Sequence, residues 1–222
     1  MFDIHIINFK SKPKQTFFAP EWDYYMFETN IDNINFKEVS KLCLRKEKEI
    51  LKLPSSNKSK VTVDAFTGLG KNSTTSKYEN YNVFSWKNKN IKLIKQTIID
   101  FHNAILQHFK QPLLNELWIQ CWLNVMRKGQ EIKPHLHNVN PHTYLGGHIC
   151  VQCDDTTTNY INPINQINIP ELYESKNHVG KLTLFQNNIP HYTSKHNSNK
   201  ERITLAFDLS MYKVDDNYMR LI

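Results

Sequence analysis

The chain has 222 residues and 40% of them are hydrophobic, enough for one domain with a full core and too apolar for a wholly disordered protein. No run reaches the roughly 18 apolar residues of a membrane span, and the opening Met-Phe-Asp-Ile-His-Ile-Ile lacks the basic segment and small-residue cleavage site of an export signal, so a cytosolic location is expected. The formal charge of +7 is carried by 28 basic against 21 acidic residues; it reads as a solvated, lysine-rich surface, with nucleic acid as a partner possible but not favoured.

Residues 2–9 read as an opening strand, and the next 25 residues are mixed, with aromatics and two prolines. Asn35 followed by Glu38 resembles a capping box. Phe36, Val39, Cys43, Ile50 and Leu53 then share a helical face, and Pro54 stops the helix. Residues 55–75 form a polar loop. Gly70-Lys71 near Ser73 is not a phosphate loop, because Ala65 stands where that motif needs glycine. The clearest helix covers 89–110, with Ile91, Ile94, Ile98, Phe101, Ile105 and Phe109 in one stripe and Pro112 beyond its end.

From residue 116 the period changes from 3.6 to 2. Strand-like runs fall at 117–126, 131–138, 144–152, 157–162, 179–186, 189–194 and 201–210, with turns at Lys128-Gly129, Asn138 to His142, Asp154-Asp155 and Asn197 to Asn199. Residues 164–179 read as a polar connection that is either a lid or an ordinary loop. Helices first and short strands later indicate an α+β, mainly β chain: a single domain over 1–222, with a strand and supporting helices in 1–112 and a sandwich or jelly roll in 113–212.

Three histidines carry the chemistry. His135 and His137, two apart on a predicted strand, project to one side. His191, after a strand and Pro190, is placed to close a metal triad with them. Arg202 and Thr204 share a strand face, with Ile203, Leu205 and Phe207 on the other. The chain has 24 Lys and 4 Arg. An Arg in such a strand therefore indicates a need for a planar fork, and a buried cation requires an acid beside it. The other reading is an outward Arg202 paired with Glu201 or an Asp. Cys150-x-x-Cys153 has no second metal-binding pair nearby; with Cys43 and Cys121 these are expected as reduced thiols.

Taken together, Trp122-Leu123-Asn124, Gly129, Pro134-His135-Leu136-His137, Tyr144-Leu145-Gly146-Gly147-His148, Pro163, Gly180 to Phe185, Pro190-His191 and Arg202 to Asp208 resemble the iron(II)/2-oxoglutarate-dependent oxygenases, most closely a branch often found in phage genomes. The resemblance covers about residues 115–210. It implies a double-stranded β-helix with Fe(II) on His135, His137 and His191. It also implies 2-oxoglutarate held through its distal carboxylate by Arg202 and Thr204, O₂ as oxidant, and Asn124 and Tyr144 lining the pocket. The implied reaction is hydroxylation of a small-molecule or peptidyl substrate with release of succinate and CO₂, in the host cytosol if the chain is viral.

One departure stands out. His137 holds the position that is acidic in the wider superfamily, where two histidines and one carboxylate bind iron. Asp154 or Asp155 is the alternative source of a carboxylate. Two further readings stay open: a three-histidine enzyme that does not use 2-oxoglutarate (a cupin-like dioxygenase or a zinc enzyme), and a non-catalytic binding module.

Overall fold

A computed structural model describes residues 2–14, 16–56, 64–137, 143–164 and 170–222. The predicted turn at Asn138 to His142 lies outside them. Ten strands and two helices are present among the described residues: β1 (His5–Lys10), β2 (Asp23–Asn30), α1 (Phe36–Ile50), α2 (Lys89–His108), β3 (Trp118–Met126), β4 (Thr143–Gln152), β5 (Thr157–Ile161), β6 (Leu172–Lys176), β7 (Lys181–Gln186), β8 (His191–Thr193), β9 (Arg202–Ser210) and β10 (Met219–Arg220). Short 3₁₀ turns cover Thr75–Asn80 and Val83–Ser85.

Both helices form where the sequence places them. Asn35 caps α1 by accepting from the Glu38 amide. Asn88 caps α2 by accepting from the amides of Asn90 and Ile91. These side chains satisfy amides that have no partner within the helix. The α2 stripe Ile91, Ile94, Ile98, Phe101 and Ile105 is buried.

The strands make two antiparallel sheets. One has seven strands in the order β1-β2-β7-β4-β9-β3-β10, and the other has three in the order β6-β5-β8. The chain alternates between them: β3 and β4 lie in the large sheet, β5 and β6 in the small one, β7 in the large, β8 in the small, and β9 in the large. That alternation produces the expected double-stranded β-helix. The helices cover the outer face of the large sheet. Ile119, Leu123, Leu145, Ile149, Leu182, Leu184, Leu205 and Phe207 join the α1 and α2 stripes in one core there. The inner face looks across at the small sheet, with Phe9, Met26, Tyr160, Phe185 and Ile189 packed between them. A buried ion pair between Lys181 Nζ and Glu28 Oε1 (2.9 Å) lies on the same side, and Glu28 also accepts from Tyr173 and Ser175 of β6.

Several elements differ from the sequence reading. β2, within the stretch read as mixed, is a full strand between β1 and β7. Met26, Phe27, Glu28 and Thr29 are consecutive and buried, so the two-residue alternation that marks a half-buried strand is missing. Part of the 164–179 connection is β6, a five-residue edge strand paired along its length with β5. Its inward residues are Tyr173 and Ser175 while Leu172 is exposed, which hides it from a hydrophobicity pattern. Residues 131–137 do not form the predicted strand. Ile132 pairs with Thr193 and His135 with His191, but Pro134 between them has no N–H to continue the ladder. Among the described residues no helix is long and apolar enough to cross a membrane.

Candidate metal and co-substrate site

A cavity of about 770 Å³ opens between the two sheets. The large sheet presents to it the alternate residues Gln120, Trp122 and Asn124 of β3 and Arg202, Thr204, Ala206 and Asp208 of β9. From the small sheet come Thr158, His191 and Thr193, and from the loop before β4 come His135 and His137.

The three predicted histidines meet. Ring centroids are 4.4 Å apart for His135 and His191, 5.0 Å for His137 and His191, and 5.8 Å for His135 and His137. One ligand atom from each lies within 4.8 Å of the others. His135 and His191 are locked opposite each other by reciprocal backbone bonds, His135 N–H to His191 O (3.1 Å) and His191 N–H to His135 O (3.0 Å). A single bridge thus does the work of the predicted strand.

Each imidazole is also oriented. Nδ1 of His135 lies 2.8 Å from the Lys133 carbonyl, Nδ1 of His191 lies 3.1 Å from the Ile189 carbonyl, and Nδ1 of His137 lies 2.5 Å from Asp208 Oδ1. These oxygens accept, so each Nδ1 carries the hydrogen and each Nε2 keeps its lone pair for a metal. Burial pushes the His135 pKa down to about 4, with the nearby His137 adding to the shift. Burial, then His135 and His137, also hold His191 well below the usual histidine range. Neutral imidazole is the ligand form, so the donor set suits a metal at neutral pH.

Arg202 is 2% exposed and faces the same cavity. Its Nη1 donates to Met126 Sδ (3.3 Å) and its Nη2 to Thr158 Oγ1 (3.5 Å), while Nε has no partner among the described residues. No carboxylate pairs with it among the described residues, so the outward Arg202 paired with Glu201 is not what forms. Burial lowers its pKa, opposed by the Cys150 and Cys153 thiols and the Tyr160 phenol. A buried guanidinium with two weak contacts and an orphaned N–H fits an incoming carboxylate. Thr204, two residues along the same face, is 3% exposed. Asn124, opposite Thr204 in the β3–β9 ladder, lines the cavity and accepts from Thr75 Oγ1 at 2.5 Å.

Tyr144 does not join them. Alternation from Gly146 and His148 points it toward the cavity, but the β4–β9 register slips between Thr143 and Leu145. The extra residue turns Tyr144 to the helix side, where its hydroxyl bonds His102 of α2. Nor does the carboxylate alternative form: Asp154 and Asp155 are exposed, and Asp154 accepts from Ser198.

Two further residues belong to the cavity: His148, which the sequence offers only as a spare histidine that could face the pocket, and Asp208, which it offers only as the end of the Arg202–Asp208 motif. His148 lines it with Nε2 bonded to Tyr160 Oη (2.8 Å) and a buried Nδ1 that has no partner among the described residues. Asp208 reaches His137. The signal for Asp208 was available, since it continues the face of Arg202, Thr204 and Ala206 by two-residue steps. The four cysteines are free, with Cys43, Cys121 and Cys150 buried and Cys153 partly so.

A double-stranded β-helix with a histidine triad and a buried arginine in one cavity defines the class: metal-dependent oxygenases that take an acidic co-substrate. Residues 120–208 match the family described as "Putative 2OG-Fe(II) oxygenase". Solved structures agree in fold. A Pseudomonas putida prolyl-4-hydroxylase aligns with a TM-score of 0.51 at 11% identity, covering 80% of this chain and 86% of that one. A Trichoplax adhaerens prolyl hydroxylase, solved with a hypoxia-inducible-factor peptide fragment, gives 0.52 at 11% over 82% and 83%. A non-heme alpha-ketoglutarate-dependent carbocyclase from nogalamycin biosynthesis gives 0.53 at 8% over 83% and 79%. No curated protein matches the chain. The matched family is one of 2-oxoglutarate-dependent oxygenases, which are oxidoreductases, and it implies Fe(II), 2-oxoglutarate and O₂, for which the three-histidine group offers a fitting donor set.

Proposed function

We propose that His135, His137 and His191 hold Fe(II) through their Nε2 atoms, and that Arg202 and Thr204 bind the distal carboxylate of 2-oxoglutarate. The observation that carries this reading is the buried Arg202 without a carboxylate partner, in the same cavity as the triad. It also weighs against a three-histidine enzyme that uses no acidic co-substrate, since such an enzyme has no use for an unpaired buried cation.

When bound, Fe(II) with 2-oxoglutarate supplies an O₂-dependent oxidation that puts one oxygen atom into succinate and the other into the substrate, with loss of CO₂. The chain's own residues orient and exclude. The Lys133 and Ile189 carbonyls and Asp208 fix the imidazoles. Arg202, at the start of β9's polar face, sets the direction in which the acid enters. Asn124, held by Thr75, walls the acid's side of the pocket, while Trp122 and Phe185 flank His137 and exclude water. Residues 113–212 are the catalytic core, and 1–112 add β1, β2 and the helical backing. The substrate is a small molecule or a peptidyl side chain, and hydroxylation is the expected outcome.

The test is an anaerobic titration of metal-free protein with Fe(II), then 2-oxoglutarate, followed by visible absorption. A metal-to-ligand charge-transfer band is expected in the wild type and lost in Arg202→Ala, which still binds iron. His191→Ala is expected to lose iron. Iron binding with no band in the wild type would remove 2-oxoglutarate from the reading, and absence of iron binding would remove the metal site.

A further inference from the structure

We propose that Asp208 is a positioning residue for the metal. Its carboxylate holds His137 with Nε2 toward the metal, and it returns to the centre the negative charge that three neutral histidines lack. The inference rests on the triad being the metal site. It starts from a difference among the three imidazoles. His135 and His191 present Nδ1 to neutral backbone carbonyls, whereas His137 presents Nδ1 to a carboxylate, at 2.5 Å. His137 is also the ligand that stands where the wider superfamily has an acid. The missing carboxylate is therefore present, one imidazole further from the metal.

The surroundings keep that contact effective. The His137 and Asp208 side chains are 5% and 11% exposed, so water screens the pair little. His137 is the one basic partner Asp208 has among the described residues. Its cross-strand neighbour on β3 is Gln120, whose amide donates to the Tyr78 carbonyl instead. Its neighbour on the other side is Gly146 of β4. A Cβ at Gly146 would come within 2.8 Å of His137 Nδ1 and of the Phe185 ring. The glycine therefore leaves the space in which the ring edge meets Asp208. Three strands thus build the seat: β9 supplies the carboxylate, β4 supplies the gap, and Phe185 of β7 packs edge-on against the ring at 5.2 Å.

A carboxylate on the far nitrogen of a metal-bound histidine raises the ring's basicity and fixes its tautomer, and removing such a partner typically weakens metal binding by about 10–100-fold. Fe(II) affinity measured anaerobically by calorimetry in the wild type, Asp208→Asn and Asp208→Ala is the test. Asn keeps the shape and an acceptor oxygen but not the charge. The expected result is a loss of at least about tenfold for Ala and a smaller loss for Asn, together with a shift of the 2-oxoglutarate charge-transfer band in the Asn variant, while urea-unfolding midpoints of the metal-free proteins stay close to wild type. Affinities of both variants within twofold of wild type, with an unmoved band, would overturn the proposal and leave the triad intact. A wild type that binds no stoichiometric iron would overturn the triad reading, and the Asp208 role with it.

Discussion

β9 is buried along all nine residues, yet its two faces are built on opposite terms. Ile203, Leu205, Phe207 and Leu209 enter the core under the helices, where each contact releases water from apolar surface and stabilises the fold. Arg202, Thr204, Ala206 and Asp208 line the cavity. There a guanidinium is taken out of water without a carboxylate, a cost the fold bears rather than a gain. The two faces of one strand thus differ in that only the second leaves a buried polar group unsatisfied among the described residues.

The largest test of this contrast is on the apolar face. Phe207→Ala is expected to destabilise the protein by about 3–5 kcal/mol, as large-to-small changes in packed cores do. A urea-unfolding series measures it, and a loss under about 1 kcal/mol would mean that this face is not the packed one.

Acid should act next, on the cavity. His135 has a folded pKa of about 4 against 6.5 for the free side chain, and His191 is lowered in the same direction. The unfolded chain binds the extra protons, so metal-free stability is fully present above about pH 6.5 and is lost as pH falls toward 4. The slope is at most about 1.4 kcal/mol per pH unit for each histidine. His135→Gln should flatten part of that slope, and an equally steep profile in the variant would assign it to other groups.

Arg202→Met separates the faces in sign. The apolar side chain removes an unpaired buried charge, so the metal-free variant should be as stable as wild type or more so, by up to about 4 kcal/mol, while losing 2-oxoglutarate binding. Marked destabilisation instead would show that Arg202 holds the fold. The smallest effect belongs to Tyr144→Phe, which removes the bond to His102 on the helix side. About 1 kcal/mol of stability is expected to go, with Fe(II) and 2-oxoglutarate affinities unchanged. A rise in the 2-oxoglutarate dissociation constant would return Tyr144 to the pocket.

The amino-acid sequence by itself determined the helices, most strands of the second half, and the choice of His135, His137, His191, Arg202 and Thr204 as candidates. Those features depend on local periodicity, on caps and on residue types in recognisable patterns, all of which are legible without neighbours. The tertiary structure decided the rest. β2 and β6 are strands because partners across the sheet satisfy their backbones, although neither shows an alternating apolar pattern. Tyr144 leaves the cavity because one extra residue in β4 reverses its face. Two-residue alternation puts Asp208 on the face of Arg202 and Thr204, but that this face of β9 and the His148 face of β4 look across at the small sheet is a relation between segments. The convergence of the triad itself depends on a single bridge between residues 56 positions apart, made where a proline prevents a regular strand.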